Sequence, residues 1–198
     1  MPSAPSYGAG TDGHTAPEAH AGLLNVTDVE AGRGHPPPGA VSEIIEIGLV
    51  VVDLDAGERV ARHRIPVGPT RSRRSALRTG LTGLTQAEAD TGVSFAETCD
   101  TLVRDCGAGI RPWASWGDHD RHQCVRRCAA ERPAHPFRHP AERTHTDAEA
   151  VFTENRGPRG RPGTAQAPAI AGLPPEGRHH RGVDGSWNIA LWDEASSY

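Results

Sequence analysis

The sequence predicts an α/β fold that opens on an antiparallel hairpin and continues with helices laid against a sheet. Three observations predict it. Residues 43–53 are apolar at nearly every position, as in a strand covered on both faces. Asp53-Leu54-Asp55-Ala56-Gly57 then supplies turn chemistry, and residues 58–67 alternate as the returning strand of a hairpin. Ser94-Phe95-Ala96-Glu97 fits a capping box at the head of a helix, so the apolar period changes along the chain as an α/β order requires.

Each further element follows in order. Residues 1–20 are small and polar, with repeated Gly, Pro and His, and are expected to be a disordered leader. One domain over 21–193 and a short tail over 194–198 follow. Residues 23–30, Leu-Leu-Asn-Val-Thr-Asp-Val-Glu, predict the first strand, and a loop carrying Pro36, Pro37 and Pro38 leads to the second. After the hairpin, Leu81-Thr82-Gly83-Leu84-Thr85 enters a short helix at 86–89 with Thr85 as its N-cap.

The helix opened by Ser94 carries Phe95, Cys99, Leu102, Val103 and Cys106 at helical spacing. Residues 110–116 read as a strand and 118–130 as a helix. Residues 131–147, with Pro133, Pro136 and Pro140, read as a loop too poor in apolar residues for a fifth strand. Weak helices are predicted at 147–153 and 164–171, the second interrupted by Pro168. A last short helix is predicted at 185–192.

Composition narrows the class. The chain has 198 residues, 25 acids and 21 bases, all the bases being Arg, for a net charge of −4. A generally basic nucleic-acid coat is excluded. No run approaches the roughly 18 apolar residues of a membrane span, and no apolar signal region follows the first residues. A cytoplasmic protein without a membrane partner is therefore expected. Gly 23 and Pro 17 make up about a fifth of the chain, and the mean hydropathy is −0.53. That hydropathy is low for a compact enzyme, and the Gly and Pro share is close to the region where disorder is expected.

The residues able to carry chemistry begin with Asp28-x-Glu30 at the end of the first strand. Alternation places both carboxylates on one face, within reach of a shared divalent cation. Ser115-Trp116-Gly117-Asp118-His119-Asp120-Arg121 puts an acid after a strand and at a helix start. Near the end of the sequence stands Gly177-Arg178-His179-His180-Arg181-Gly182-Val183-Asp184-Gly185-Ser186-Trp187-Asn188-Ile189-Ala190.

In these segments, with Ser42-Glu43-Ile44-Ile45-Glu46-Ile47-Gly48 and Leu81 to Gln86, the sequence resembles the DEDDh-type 3′–5′ exonucleases. It is similar in particular to their Eri1/KapD-like branch, over residues 23–191. The resemblance implies a ribonuclease H-like mixed sheet with an antiparallel first hairpin, flanked by helices. It implies a phosphodiesterase using two Mg²⁺ or Mn²⁺ ions on the 3′ end of single-stranded RNA or DNA. Asp28 would bridge the ions, Glu30 would complete the shell of the first, and Asp118 would hold the second. His180 would be the general base toward the attacking water. Leu81, Thr82 and Arg181 would touch the substrate.

The family pattern places the last metal-binding Asp five positions after the His. From His180 that position is Gly185. Asp184 stands one residue away, about 100° around a helix from the required direction. A shifted register, His179 with Asp184, is the alternative. Three functional expectations follow: an exonuclease of impaired activity with Asp184 as ligand, an inactive nucleic-acid-binding relative, or a degenerate chain that folds poorly.

Other residues have plainer readings. Cys99, Cys106, Cys124 and Cys128 lack paired C-x2-C spacing, so small core thiols are expected over a zinc site. Trp113 and Trp116 are expected to pack in the core. Arg71, Arg73, Arg74 and Arg78 form a local basic cluster, read as a solvated loop or a phosphate contact.

Overall fold

The computed structural model describes residues 22–31, 41–68, 91–137, 145–156 and 160–172. Its elements are β1 (Leu23–Ala31), β2 (Ile44–Asp53), β3 (Glu58–Pro66), α1 (Phe95–Cys106), β4 (Trp113–Ser115), α2 (His119–Glu131), β5 (His145–Asp147), α3 (Ala148–Arg156) and α4 (Ala167–Ala171).

The strands form one mixed sheet in the order β3-β2-β1-β4-β5. β1 runs antiparallel to β2 from Leu23↔Asp53 to Ala31↔Ile44, with a bulge between Glu30 and Ala31. On its other side β1 pairs in parallel with β4, through Asn25↔Trp113 and Val26↔Ala114. The expected hairpin is present as β2 and β3. At its turn, Oδ1 of Asp53 accepts the main-chain N–H groups of Asp55 and Ala56 at 3.0 Å each. Gly57 completes the turn at φ 67°, a conformation open to Gly without steric cost.

The apolar run of β2 is buried on both faces because helices cover both. Val29, Ile47, Leu49 and Val51 face Phe95, Cys99, Leu102 and Cys106 of α1 and Cys124 of α2. Val26, Val50, Val52 and Ala114 turn to the opposite face, against Ala148 of α3 and Trp116. Each such aliphatic side chain, fully buried, contributes about 1.5–3 kcal/mol. The capping box of α1 forms as expected: Ser94 Oγ accepts from the Glu97 N–H at 3.3 Å, and Glu97 Oε2 accepts from the Ser94 N–H at 3.0 Å. Trp113 is buried and stacks on Phe137 with ring centres 4.6 Å apart.

Two expectations change. The strand expected over 110–116 shrinks to Trp113–Ser115, because Gly107 at φ 63° and the turn after it occupy the preceding residues. A fifth strand does form within the segment read as a loop. His145–Asp147 pairs in parallel with β4, register Trp113↔His145 to Ser115↔Asp147. An edge strand this short needs ladder partners more than an apolar face, so its composition hides it. Pro168 falls in the first turn of α4, where its missing N–H breaks no bond, so that helix begins there. The expected helices at 86–89 and 185–192, and the leader, lie outside the described residues.

Candidate active site

β1 carries Asp28 and Glu30 to one face of the sheet. Their neighbours Thr27 and Val29 are buried on the other, and Thr27 Oγ1 donates to the Gly48 carbonyl at 2.9 Å. The pairing of β1 with β4 ends at Val26. Beyond it no further β1–β4 pair is made among the described residues, and the first turn of α2 lies there instead. The carboxylate of Asp120, in the first turn of α2, comes up against the main chain of Val29.

This contact brings a third acid to the pair. Burial first, then the charges of Asp120, Glu30 and Glu46, hold the Asp28 carboxyl well above the usual carboxylate range. Burial likewise pushes Asp120 up to about 7, with the nearby Val29 main-chain N–H opposing and the Glu30 charge adding to it. Glu46 stands directly opposite Glu30 on β2 and is fully buried. Its Oε2 accepts from Nε of Arg64 at 2.7 Å, while its buried Oε1 has no hydrogen-bond partner among the described residues. Four carboxylates thus gather around the end of β1, with one guanidinium at the far side of Glu46.

Asp118 is placed differently from the expectation. It precedes α2 at its N-cap, half of its side chain is exposed, and Oδ1 binds Nε of Arg121 at 2.7 Å. That hydrogen bond is the main cause of its lowered pKa. The structure therefore brings Asp28, Glu30 and Asp120 together and turns Asp118 away toward Arg121. A signal for Asp120 was present in the sequence. Asp120, Gln123, Cys124 and Arg127 are spaced as one helical face, and this is the face α2 buries. Three of the four are polar, so apolar periodicity does not mark it.

Asp118 borders a separate groove of about 560 Å³ between α2 and the sheet edge, shared with Arg121, Val125, Trp113, His135, Phe137, His145 and Asp147. His145 Nε2 lies 2.9 Å from Ser115 Oγ and its Nδ1 lies 3.9 Å from Asp118. The order Ser-His-Asp is not a nucleophilic triad here. Ser115 is fully buried and its O–H donates to the Gly117 carbonyl at 2.9 Å. The serine therefore accepts from His145, and the imidazole holds β4 to β5.

The acidic cluster fits a hard divalent cation in kind. Its donors are carboxylate oxygens, and their mutual repulsion is what such an ion relieves. Among the described residues no three acidic, His or Cys side chains close on one point as a complete metal site. The remaining expected residues, Leu81, Thr82, His180, Arg181, Asp184 and Gly185, lie outside the described residues, as does the basic cluster from Arg71 to Arg78.

No protein-family model matches the chain. No curated protein matches it either. Solved structures do. The nuclease domain of 3′hExo, a DEDDh family member bound to rAMP, is similar at a TM-score of 0.72 and 21% identity, over 90% of this chain and 92% of that one. A 3′-exonuclease in 3′-end-specific recognition of a histone mRNA stem-loop gives a TM-score of 0.70 at 20% identity, over 89% and 82%. Pop2p of S. pombe, in a form with Mg²⁺ and Mn²⁺ bound, gives 0.64 at 13% identity, over 88% and 83%. The mixed five-stranded sheet with flanking helices in this chain is the ribonuclease H-like fold of those 3′-exonucleases.

Proposed function

We propose that the chain is a metal-dependent 3′–5′ exonuclease acting in the cytoplasm on the 3′ end of RNA or single-stranded DNA, its activity lowered by Gly185. One observation carries the reading: Asp120 meets Asp28 and Glu30 where β1 leaves β4, three acids drawn from two elements. Two Mg²⁺ or Mn²⁺ ions held there would polarise the scissile phosphate and acidify the attacking water.

The protein's own residues divide the work. Asp28 and Glu30 supply ligands from a strand held rigid by β2, and Asp120 supplies one from the helix, in the role expected of Asp118. Asp184 is the acid available in place of Gly185. His180 accepts the proton of the attacking water. Leu81, Thr82 and Arg181 contact the terminal nucleotide.

The test is degradation of an oligonucleotide labelled at its 5′ end, with Mn²⁺ and then with excess chelator. The reading expects slow shortening from the 3′ end that chelation stops, and metal-independent cleavage would overturn it. The glycine at 185 favours a second reading, a relative that binds nucleic acid without cutting it. Salt-sensitive binding with no cleavage at any Mn²⁺ concentration would select that one.

A further inference from the structure

The helix α2 takes a positive charge into the interior as well as an acid. Arg127 lies on the same buried face as Asp120, two turns further along. Its side chain is wholly withdrawn from solvent, and Nη2 pairs with Glu131 Oε1 at 2.8 Å, one turn on in the same helix. The same nitrogen lies 3.8 Å from Glu43 Oε1. The guanidinium also sits over the ring of Phe95, the first residue of α1, 5.6 Å from its centroid. Glu43 directly precedes β2, whose first residue, Ile44, stands opposite Ala31 at the end of β1. Arg127 thus joins α2 to α1 and to the strand end that carries Glu30.

Such a pair is a poor source of stability. Nε and Nη1 of Arg127 have no hydrogen-bond partner among the described residues, and unmet donors on a buried cation cost free energy. Buried ion pairs exchanged for apolar side chains of similar volume often leave a protein as stable as before, or more so. What the guanidinium does supply is direction. A planar fork set between two carboxylates and a ring accepts few placements of the helix that carries it.

We propose that Arg127 is a positioning residue for the acid site: held by Glu43, Glu131 and the Phe95 ring, it sets how α2 lies on the sheet and so where Asp120 stands beside Asp28 and Glu30. Asp120 and Arg127 are about 10 Å apart along the helix axis. A tilt of about 6° at Arg127 would move Asp120 by about 1 Å, whereas a binding constellation has to be held within about 0.5 Å. The proposal rests on the metal-site reading of those acids. It concerns how the helix is held, not which acids bind.

The test is a Mn²⁺ titration of the full-length protein, with free ion followed by electron paramagnetic resonance, beside a thermal melt without metal. The double variant Arg127→Met with Glu43→Gln removes one charge of each sign, so its net charge is that of the wild type. Any change in cation affinity is then geometric and not electrostatic. Its Mn²⁺ dissociation constant is expected to rise about tenfold or more, while its metal-free melting temperature stays level or rises. Arg121→Gln, on the exposed side of the same helix, is expected to leave both unchanged. Wild-type affinity in the double variant would overturn the proposal. So would affinity and metal-free melting temperature falling together, which would make Arg127 a support of the core alone. Asp28→Asn separates this failure from that of the underlying reading: it is expected to abolish tight Mn²⁺ binding. Binding equal to the wild type there would remove the metal site itself, and the positioning role with it.

Discussion

The charge of Asp120, buried at the start of α2, helps hold the Asp28 carboxyl of β1 above the usual carboxylate range, so a helix acid joins the strand acids Asp28 and Glu30. Asp118, only two residues earlier, faces Arg121 instead. On the nuclease reading the two acids behave differently. Asp120→Asn is expected to lower Mn²⁺-supported cleavage about a hundredfold or more, since a lost metal ligand removes several kcal/mol of charge stabilisation. Asp118→Asn is expected to change it less than about threefold. Initial rates on a labelled oligonucleotide decide this, and the reverse ranking would return the role to Asp118.

The same substitution has an opposite effect on stability. Asp120 is pushed up to about 7 in the fold, against about 3.9 in an unfolded chain. Its acid form is thus favoured by folding, and ionisation at higher pH works against the native state. In metal-free buffer at about pH 8, Asp120→Asn is expected to melt several degrees above the wild type. At about pH 5 the folded wild type is already protonated there and the gain should shrink. If Asp120→Asn melted below the wild type at about pH 8, the charge argument would fail.

Gly185 makes its own prediction from the sequence. Gly185→Asp restores the fourth carboxylate of the family pattern and is expected to raise Mn²⁺-dependent cleavage by at least about tenfold, roughly 1.4 kcal/mol in the barrier. If Asp184 serves fully as ligand, Gly185→Asp will leave the rate unchanged and Asp184→Ala will abolish it.

His145 gives a pH signature away from the acids. Burial, then the Arg121 charge, lowers its pKa against the opposing pull of Asp118 and Asp147. The unfolded chain therefore takes up this proton first, at about pH 6.5. The stability that neutral His145 contributes is complete above that pH and is lost as pH falls through the lowered folded value. His145→Gln is expected to flatten this part of the melting curve between about pH 7 and 5. Parallel curves for variant and wild type would remove His145 from the account.

The α1 cap is a control on the fold. Ser94→Ala removes the acceptor for the Glu97 N–H and is expected to cost about 1 kcal/mol in denaturant unfolding, with the slope unchanged.

What was legible in the sequence was whatever a single short stretch decides. The β2 run, the turn at Asp53 and the cap at Ser94 each contain their own cause, and each forms as expected. β5 was not legible, because His145 and Asp147 owe their conformation to β4 rather than to any apolar pattern. Asp120 escaped for a related reason. Its burial depends on where β4 stops beside β1, a distance relationship that apolar periodicity in α2 does not record. The pair Asp28 and Glu30 was readable because strand alternation alone puts them together.

The flank of the sheet formed by β3 has a practical consequence. An outer strand offers unused N–H and C=O groups to any passing chain, and its composition decides whether that offer is taken. Here Arg59, Arg62 and Arg64 punctuate the strand, and Pro66 ends it without an amide hydrogen. Another molecule adding there would have to pack against those long side chains and would meet a terminal gap in the ladder. A chain with so small a net charge has little general repulsion to keep its copies apart, so the make-up of this rim bears directly on sheet-to-sheet growth in concentrated solution.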